Sequence, residues 1–271
     1  MDGLTGTKAG SGVWQRIISE MPAHEVYIEP FWGRGTIAKR KRPARYTIGV
    51  DLDPAAIASG QGVALMFQAD GLQWLADYFR PAAAAAESGG KRSPAAKLLA
   101  PPNSATVDAH HQTPKTAAPP ANPCTFGGCP WEKHFVYIDP PYLGFSGYYR
   151  HELTEHQHQV LCRLFLQLPC PAALSGYQSD VYAAELSGAR SIEIPTVNRA
   201  GQSVREILWM NYDPPARYHD TRYHGACRRE RERIRRRQKA WANGLRKMPT
   251  AERQAIFEAC AAAYHDARAD D

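Results

Sequence analysis

Apolar residues in this chain are grouped in short blocks, and the blocks alternate between two periods. Residues 26–31 (VYIEPF), 46–53 (YTIGVDLD) and 64–70 (ALMFQAD) are short runs rich in β-branched and aromatic residues, which predicts strands. Between them, GRGTIAKRK (33–41) reads as a turn opening a helix and PAAIASGQ (54–61) as a short helix. GLQWLADYF (71–79) places Leu72, Leu75 and Phe79 on one helical face. The same alternation returns at His134: a strand over 134–138, a helix over 154–168, a strand over 172–177 and a helix over 180–186. Residues 191–197 and 204–212 read as a closing pair of strands, the second stopped by Pro214. Two helices follow, over 227–247 and 249–267, with Pro249 as the natural first residue of the second. Strands alternating with helices predict an α/β fold with a mostly parallel sheet. No internal repeat is visible.

The pattern lapses once. Residues 81–130 hold thirteen Ala and nine Pro with no apolar period. Such a stretch buries too little surface to offset its ordering entropy, so it reads as mostly disordered. No run of eighteen apolar residues and no charged-then-apolar leader is present, which points away from a membrane protein and toward the cytoplasm. Six cysteines (Cys124, Cys129, Cys162, Cys170, Cys227, Cys260) in 271 residues do not suggest a disulfide framework. Charge is uneven. Residues 216–247 carry twelve Arg or Lys against three acids, which leaves the rest of the chain at −3 of a total of +6. A concentrated basic element on a near-neutral body suits a polyanionic partner.

Three places carry candidate chemistry. EPFWGRGT (29–36) follows a strand, and Gly33 and Gly35 permit close backbone approach at the carboxyl end where α/β sheets bind nucleotides. A lone Gly-x-Gly is more often a plain structural turn. Asp51 ends the next strand, where an acid can hold both hydroxyls of a ribose. Asp53, directly before Pro54, is the better helix cap, which leaves Asp51 without an obvious structural task. The third place is HFVYIDPPYLG (134–144). Prolines cannot continue a ladder, so the strand ends at Asp139. A carboxylate and the proline-fixed carbonyl of Pro140 can both accept from one amino group, while Tyr142 stacks on the planar base that carries it. The set suits an aromatic exocyclic amine whose lone pair faces an electrophile.

Taken in order, YIEPFWGRGT, IGVDLD, FQADGLQWL and YIDPPY resemble the S-adenosylmethionine-dependent DNA adenine-N6 methyltransferases. KAGSGVWQRIISEMP (8–22), ALSGY and EILWMNY are similar to segments of the Dam-like, D12-class members, phage-encoded ones especially. The resemblance implies a Rossmann-like methyltransferase sheet with a C-terminal basic helical appendage. It implies a catalytic domain over 1–80 and 131–215, an Ala/Pro-rich insertion over 81–130 at the target-recognition position, and a basic helical region over 216–271. By the same resemblance, Lys8 and Gly10 line the methionine end of S-adenosylmethionine, and Glu29, Pro30, Phe31, Gly33 and Gly35 form its main cradle. Asp51 takes the ribose hydroxyls and Asp70 lies near the cofactor adenine. Asp139, Pro140 and Tyr142 hold an adenine flipped out of double-stranded DNA, and the leading Asp of D-P-P-Y implies adenine N6. Arg34, between the two glycines, is expected to point outward.

Three further groups were weighed by composition. Cys124 and Cys129 with His110, His111 and His134 fit a zinc site poorly, since no second Cys pair is present, and no metal is expected. His156 and His158, at a helix start, read as surface residues. Arg228, Arg229, Arg235, Arg236 and Lys239 are expected to contact phosphates. Otherwise their helix is a solvated face whose Ile234, Trp241 and Leu245 pack on the body. Two other readings stay open: an RNA adenine or DNA cytosine-N4 methyltransferase, and a DNA-binding protein on a decayed methyltransferase scaffold. The oligomeric state is unspecified.

Overall fold

The structure is a computed structural model that describes residues 12–87, 130–144, 150–197 and 202–266. In chain order the elements are α1 (Val13–Glu20), β1 (Val26–Glu29), α2 (Thr36–Arg40), β2 (Tyr46–Asp51), α3 (Pro54–Gly60), β3 (Leu65–Gln68) and α4 (Gly71–Glu87). They continue with β4 (His134–Ile138), α5 (Glu155–Gln167), β5 (Ala172–Gly176), α6 (Asp180–Glu185), β6 (Arg190–Val197), β7 (Ser203–Met210), α7 (Arg228–Lys247) and α8 (Thr250–Asp266).

The strands form one seven-stranded sheet in the order β3-β2-β1-β4-β5-β7-β6. The first five run parallel, and β7 runs antiparallel to both β5 and β6. Central strands are apolar on both sides because helices cover both faces. Val26, Ile28, Ile48, Val50, Val136, Ile138, Leu174 and Trp209 face one core with side chains of α4, α5 and α6. Tyr27, Phe135, Tyr137, Ala173, Leu208 and Met210 face the other with α1, α2 and Ala56 of α3. Every residue of β1, β4 and β5 is buried. This is the mostly parallel α/β sheet the alternation predicts and the Rossmann-like sheet the resemblance implies, closed by the predicted pair of strands, which run antiparallel. From β1 the chain winds outward to β3, then crosses back to β4 and winds the other way. The carboxyl ends of β1 and β4 therefore flank the point where strand order reverses, the usual crevice of such sheets.

Three features differ from the sequence reading. α4 runs on through Pro81 to Glu87, seven residues into the stretch read as mostly disordered. Five consecutive alanines, the best helix formers, follow that proline. His158 is not a surface residue: it is fully buried on α5, sharing a face with Leu161, Cys162 and Phe165. Ile234, Trp241 and Leu245 do not bury on the body, for α7 has no buried residue and Trp241 is 62% exposed. His134, the one described member of the weighed zinc set, contacts the Tyr78 hydroxyl at 3.3 Å and the Pro130 carbonyl at 3.1 Å. Cys124, Cys129, His110 and His111 lie outside the described residues.

The root of α7 is tied down although the helix itself is not. Asp220 is fully buried; it accepts from the Arg42 amide at 2.8 Å and pairs with Arg222 at 2.7 Å. The amides of Ala23 and His219 donate to Arg217 and Met21, joining this segment to the entry of β1.

Candidate functional site

The turn after β1 builds one wall of the crevice. Its shape comes from Trp32, whose side chain is buried on the α2–α3 side and donates its indole N–H to Ser59 at 3.1 Å. Gly33 and Gly35 both have positive φ, +52° and +59°. A Cβ on Gly35 would sit 2.3 Å from the Trp32 ring, so Gly35 is needed for packing beneath the turn and does not line the crevice. A Cβ on Gly33 would meet nothing within 4 Å, and Gly33 is among the residues that line the crevice. Arg34 is exposed, and it is also among the residues that line the crevice.

Asp51 fixes the second wall. One carboxylate oxygen accepts from the Gly33 amide at 2.8 Å and the other from the Asp53 amide at 2.9 Å. It therefore does have a structural task, tying the glycine turn of β1 to the turn after β2. Each oxygen accepts more than one bond, so both keep capacity for a ligand hydroxyl. Burial raises its pKa from the ordinary carboxylate value, and the two backbone donors oppose that rise. Asp53 caps α3 through the Ala55 amide at 2.9 Å, as its place before Pro54 predicts. Asp70 accepts from the Gln73 amide at 2.8 Å at the start of α4. Beside it, a Cβ on Gly71 would fall 1.9 Å from the Pro30 carbonyl oxygen, so only glycine lets these two turns touch.

The third wall is D-P-P-Y at the end of β4. Pro140 is buried and Asp139 half-buried. The Ser175 hydroxyl on β5 donates to Asp139 Oδ1 at 3.1 Å, and the Tyr142 hydroxyl lies 3.3 Å from the same oxygen. Tyr142 also lies 3.4 Å from Glu206 Oε1 on β7, and its ring meets Tyr177 edge-on at 4.8 Å. Ser175, Tyr177 and Glu206 were not assigned as site residues from sequence, although Ser175 and Tyr177 sit in ALSGY and Glu206 opens EILWMNY. Their signal is register: β5 lies beside β4, and β7 beside β5.

Glu29 completes the floor. Burial pushes its carboxyl up to about 8, with Asp139 adding to the rise, so it is mostly protonated at neutral pH. Tyr27 donates to it at 2.9 Å. Lys41 is buried beyond Tyr27, its ammonium 4.3 Å from that ring, and burial pushes its pKa down to about 7.

Thus Glu29, Pro30, Phe31, Gly33, Asp51, Asp70, Asp139, Pro140 and Tyr142 line a single crevice, although they come from four separate turns. Lys8 and Gly10 lie outside the described residues. Arg228, Arg229, Arg235, Arg236 and Lys239 are exposed on α7 and do not line it. Among the described residues no helix is long and apolar enough to cross a membrane, and no group of His, Cys, Asp and Glu could hold a metal.

No family model matches the chain, and no curated protein matches it. Several solved structures are distantly similar. The magnesium protoporphyrin IX methyltransferase from Synechocystis PCC 6803, solved with bound S-adenosylmethionine, is 11% identical, covering 73% of this chain and 75% of its own at a TM-score of 0.36. The 23S rRNA methyltransferase ErmE is 13% identical, covering 76% of this chain and 69% of its own at 0.35. A dimethyladenosine transferase from Plasmodium falciparum is 12% identical, covering 73% and 60% at 0.35. Likenesses this distant leave the chemistry to be argued from the geometry of the crevice itself.

Proposed function

We propose that the chain transfers a methyl group from S-adenosylmethionine to the exocyclic N6 of adenine in double-stranded DNA. The observation that carries this is the convergence of Asp139, Pro140 and Tyr142 on the crevice that Gly33 and Asp51 also line. The crevice suits a nucleoside-bearing cofactor on two counts. Gly33 lines it with bare backbone held at a positive φ that side chains disfavour, and Asp51 has a preset carboxylate with acceptor capacity for ribose hydroxyls. Asp70 stands beside them for the adenine end, and Glu29, Pro30 and Phe31 form the floor. Bound there, S-adenosylmethionine supplies an electrophilic methyl group on a sulfonium.

The chain's own residues do the rest. An exocyclic amine is a poor nucleophile because its lone pair is delocalised into the ring. Asp139 and the Pro140 carbonyl accept its two hydrogens and draw the nitrogen toward tetrahedral geometry. The amine proton becomes acidic only as the new C–N bond forms, so a carboxylate acceptor suffices to receive it. Tyr142 offers an aromatic face to the extruded base, which offsets part of the few kcal/mol of unstacking. Pro140 and Pro141 fix the loop, and rigidity matters because about 1 Å of misplacement costs roughly a hundredfold in rate.

In this reading, residues 1–80 and 131–215 form the catalytic domain and 81–130 the insertion. Residues 216–271 form a basic arm whose Arg228, Arg229, Arg235, Arg236 and Lys239 meet phosphates. The test is methyl transfer to unmethylated genomic DNA and, in parallel, to total RNA, followed by digestion and nucleoside mass analysis. N6-methyladenine from DNA is the expected product. N4-methylcytosine, or methylation confined to RNA, would overturn the substrate assignment. No transfer and no binding of S-adenosylhomocysteine would point to a decayed scaffold.

A further inference from the structure

Tyr137 and Ser175 are fully buried polar residues behind the crevice, with no part in the mechanism as written above. They are adjacent because β4 and β5 pair in parallel, Tyr137 opposite Ala173 and Ile138 opposite Leu174. The Tyr137 hydroxyl is 2.9 Å from Ser175 Oγ, and Ser175 Oγ is 3.1 Å from Asp139 Oδ1. A hydroxyl has one proton to give. Since the Ser175 proton goes to Asp139, the 2.9 Å contact requires Tyr137 to donate to Ser175. The chain of hydroxyls thus has one direction, Tyr137 to Ser175 to Asp139.

We propose that Ser175, backed by Tyr137, is a positioning residue that holds the Asp139 carboxylate as an oriented acceptor for the substrate amine. The proposal rests on the methyl-transfer reading above. Asp139 follows a strand and precedes two prolines, so its backbone is fixed but its side-chain torsions are not. Ser175 is the fourth of the five residues of the fully buried β5, so its Oγ is a rigid reference for one carboxylate oxygen. With Tyr137 donating to it, Ser175 cannot turn its proton back toward Tyr137, which leaves that proton for Asp139. Tyr142 approaches the same oxygen from the crevice side at 3.3 Å. Donors thus bracket Oδ1 from the core and from the substrate face. A carboxylate pinned in this way meets an incoming amine without first reorienting.

The test compares Ser175→Ala and Tyr137→Phe with wild type in the full chain, by two readouts. With aspartate carbon-13 labelled at the carboxyl, the Asp139 resonance is identified by its loss in Asp139→Asn. Ser175→Ala is expected to shift that resonance, and Tyr137→Phe to shift it less. In methyl transfer, Ser175→Ala is expected to lower kcat roughly 10- to 100-fold, with Tyr137→Phe milder. The KM for cofactor and the affinity for S-adenosylhomocysteine should hold, while the melting temperature should fall modestly because the buried Tyr137 hydroxyl loses this partner. An unmoved resonance or wild-type kcat in Ser175→Ala overturns the inference. So does a fall in kcat accompanied by lost affinity for S-adenosylhomocysteine, which would make Ser175 a packing residue. A wild-type chain that transfers no methyl group overturns the reading beneath and the inference with it.

Discussion

His158 permits a stability prediction that is independent of any substrate. It lies on the buried face of α5, its Nδ1 2.9 Å from the Tyr182 hydroxyl, and its Nε2 is buried with no hydrogen-bond partner among the described residues. An imidazolium there would strand a charged donor away from water. Burial accordingly lowers its pKa from 6.5 to about 4. The sign follows directly. The folded state binds this proton less readily than the unfolded one, so the group's contribution is complete above pH 6.5 and is lost as pH falls toward 4. At pH 4.5 nearly two of those units have been traversed, a loss of about 2.5 kcal/mol relative to pH 7.5. His158→Phe keeps a ring of similar size and removes the titration. It also leaves the Tyr182 hydroxyl without this partner, a pH-independent cost of about 1–3 kcal/mol. Urea unfolding followed by tryptophan fluorescence suits the assay, because Trp209 lies 5.1 Å from Tyr182. Wild type should be the more stable at pH 7.5. The gap to His158→Phe should close by about 2.5 kcal/mol on going to pH 4.5. A gap that stays constant across that range would refute the reasoning, for it would mean that the folded protein accommodates the imidazolium.

Other perturbations address the crevice and the arm. Asp139→Ala is expected to abolish methyl transfer while S-adenosylhomocysteine still raises the melting temperature; joint loss of both would make Asp139 a fold residue. Asp51→Ala should weaken S-adenosylhomocysteine binding by roughly 1–3 kcal/mol in calorimetry, the worth of one or two hydrogen bonds. A modest drop in melting temperature should accompany it, because the Gly33 and Asp53 amides lose their acceptor. An unchanged dissociation constant would remove Asp51 from the ligand. Arg235→Gln with Arg236→Gln should weaken DNA binding and flatten its log–log salt dependence by about 1.8 if each contacts one phosphate. An unaltered slope would leave α7 as a solvated helix.

Much of this architecture was legible because a strand buried on both faces has few options. HFVYI cannot be a surface element, and the acid and prolines after it must leave the sheet. Asp51, Asp139 and Gly33 were legible for the same reason, since each sits at a strand's carboxyl end. What escaped depends on which strands become neighbours. Ser175 and Glu206 reach the Asp139–Tyr142 group because β5 and β7 lie next in order, and no local pattern states that order. His158 is different, because its signal was present. It falls at i with Leu161, Cys162 and Phe165 at i+3, i+4 and i+7, the buried stripe of a helix. The residue type misled where the spacing was informative. Asp51 was misjudged in the opposite sense, as a side chain without structural duty, because its donors come from two turns that meet only in the folded protein.

The contrast between the rooted Asp220 and the uncovered α7 has a consequence for how this protein can change. A helix of 20 residues rises about 30 Å, and this one does so without committing a single side chain to the core. Mutations along it therefore leave the crevice untouched, and nearly every position is free to drift, gain or lose charge. The body holds the arm by one buried carboxylate and a few backbone bonds before the helix begins. Length, charge and reach can thus be retuned as a cassette, with the chemistry carried unchanged beneath it.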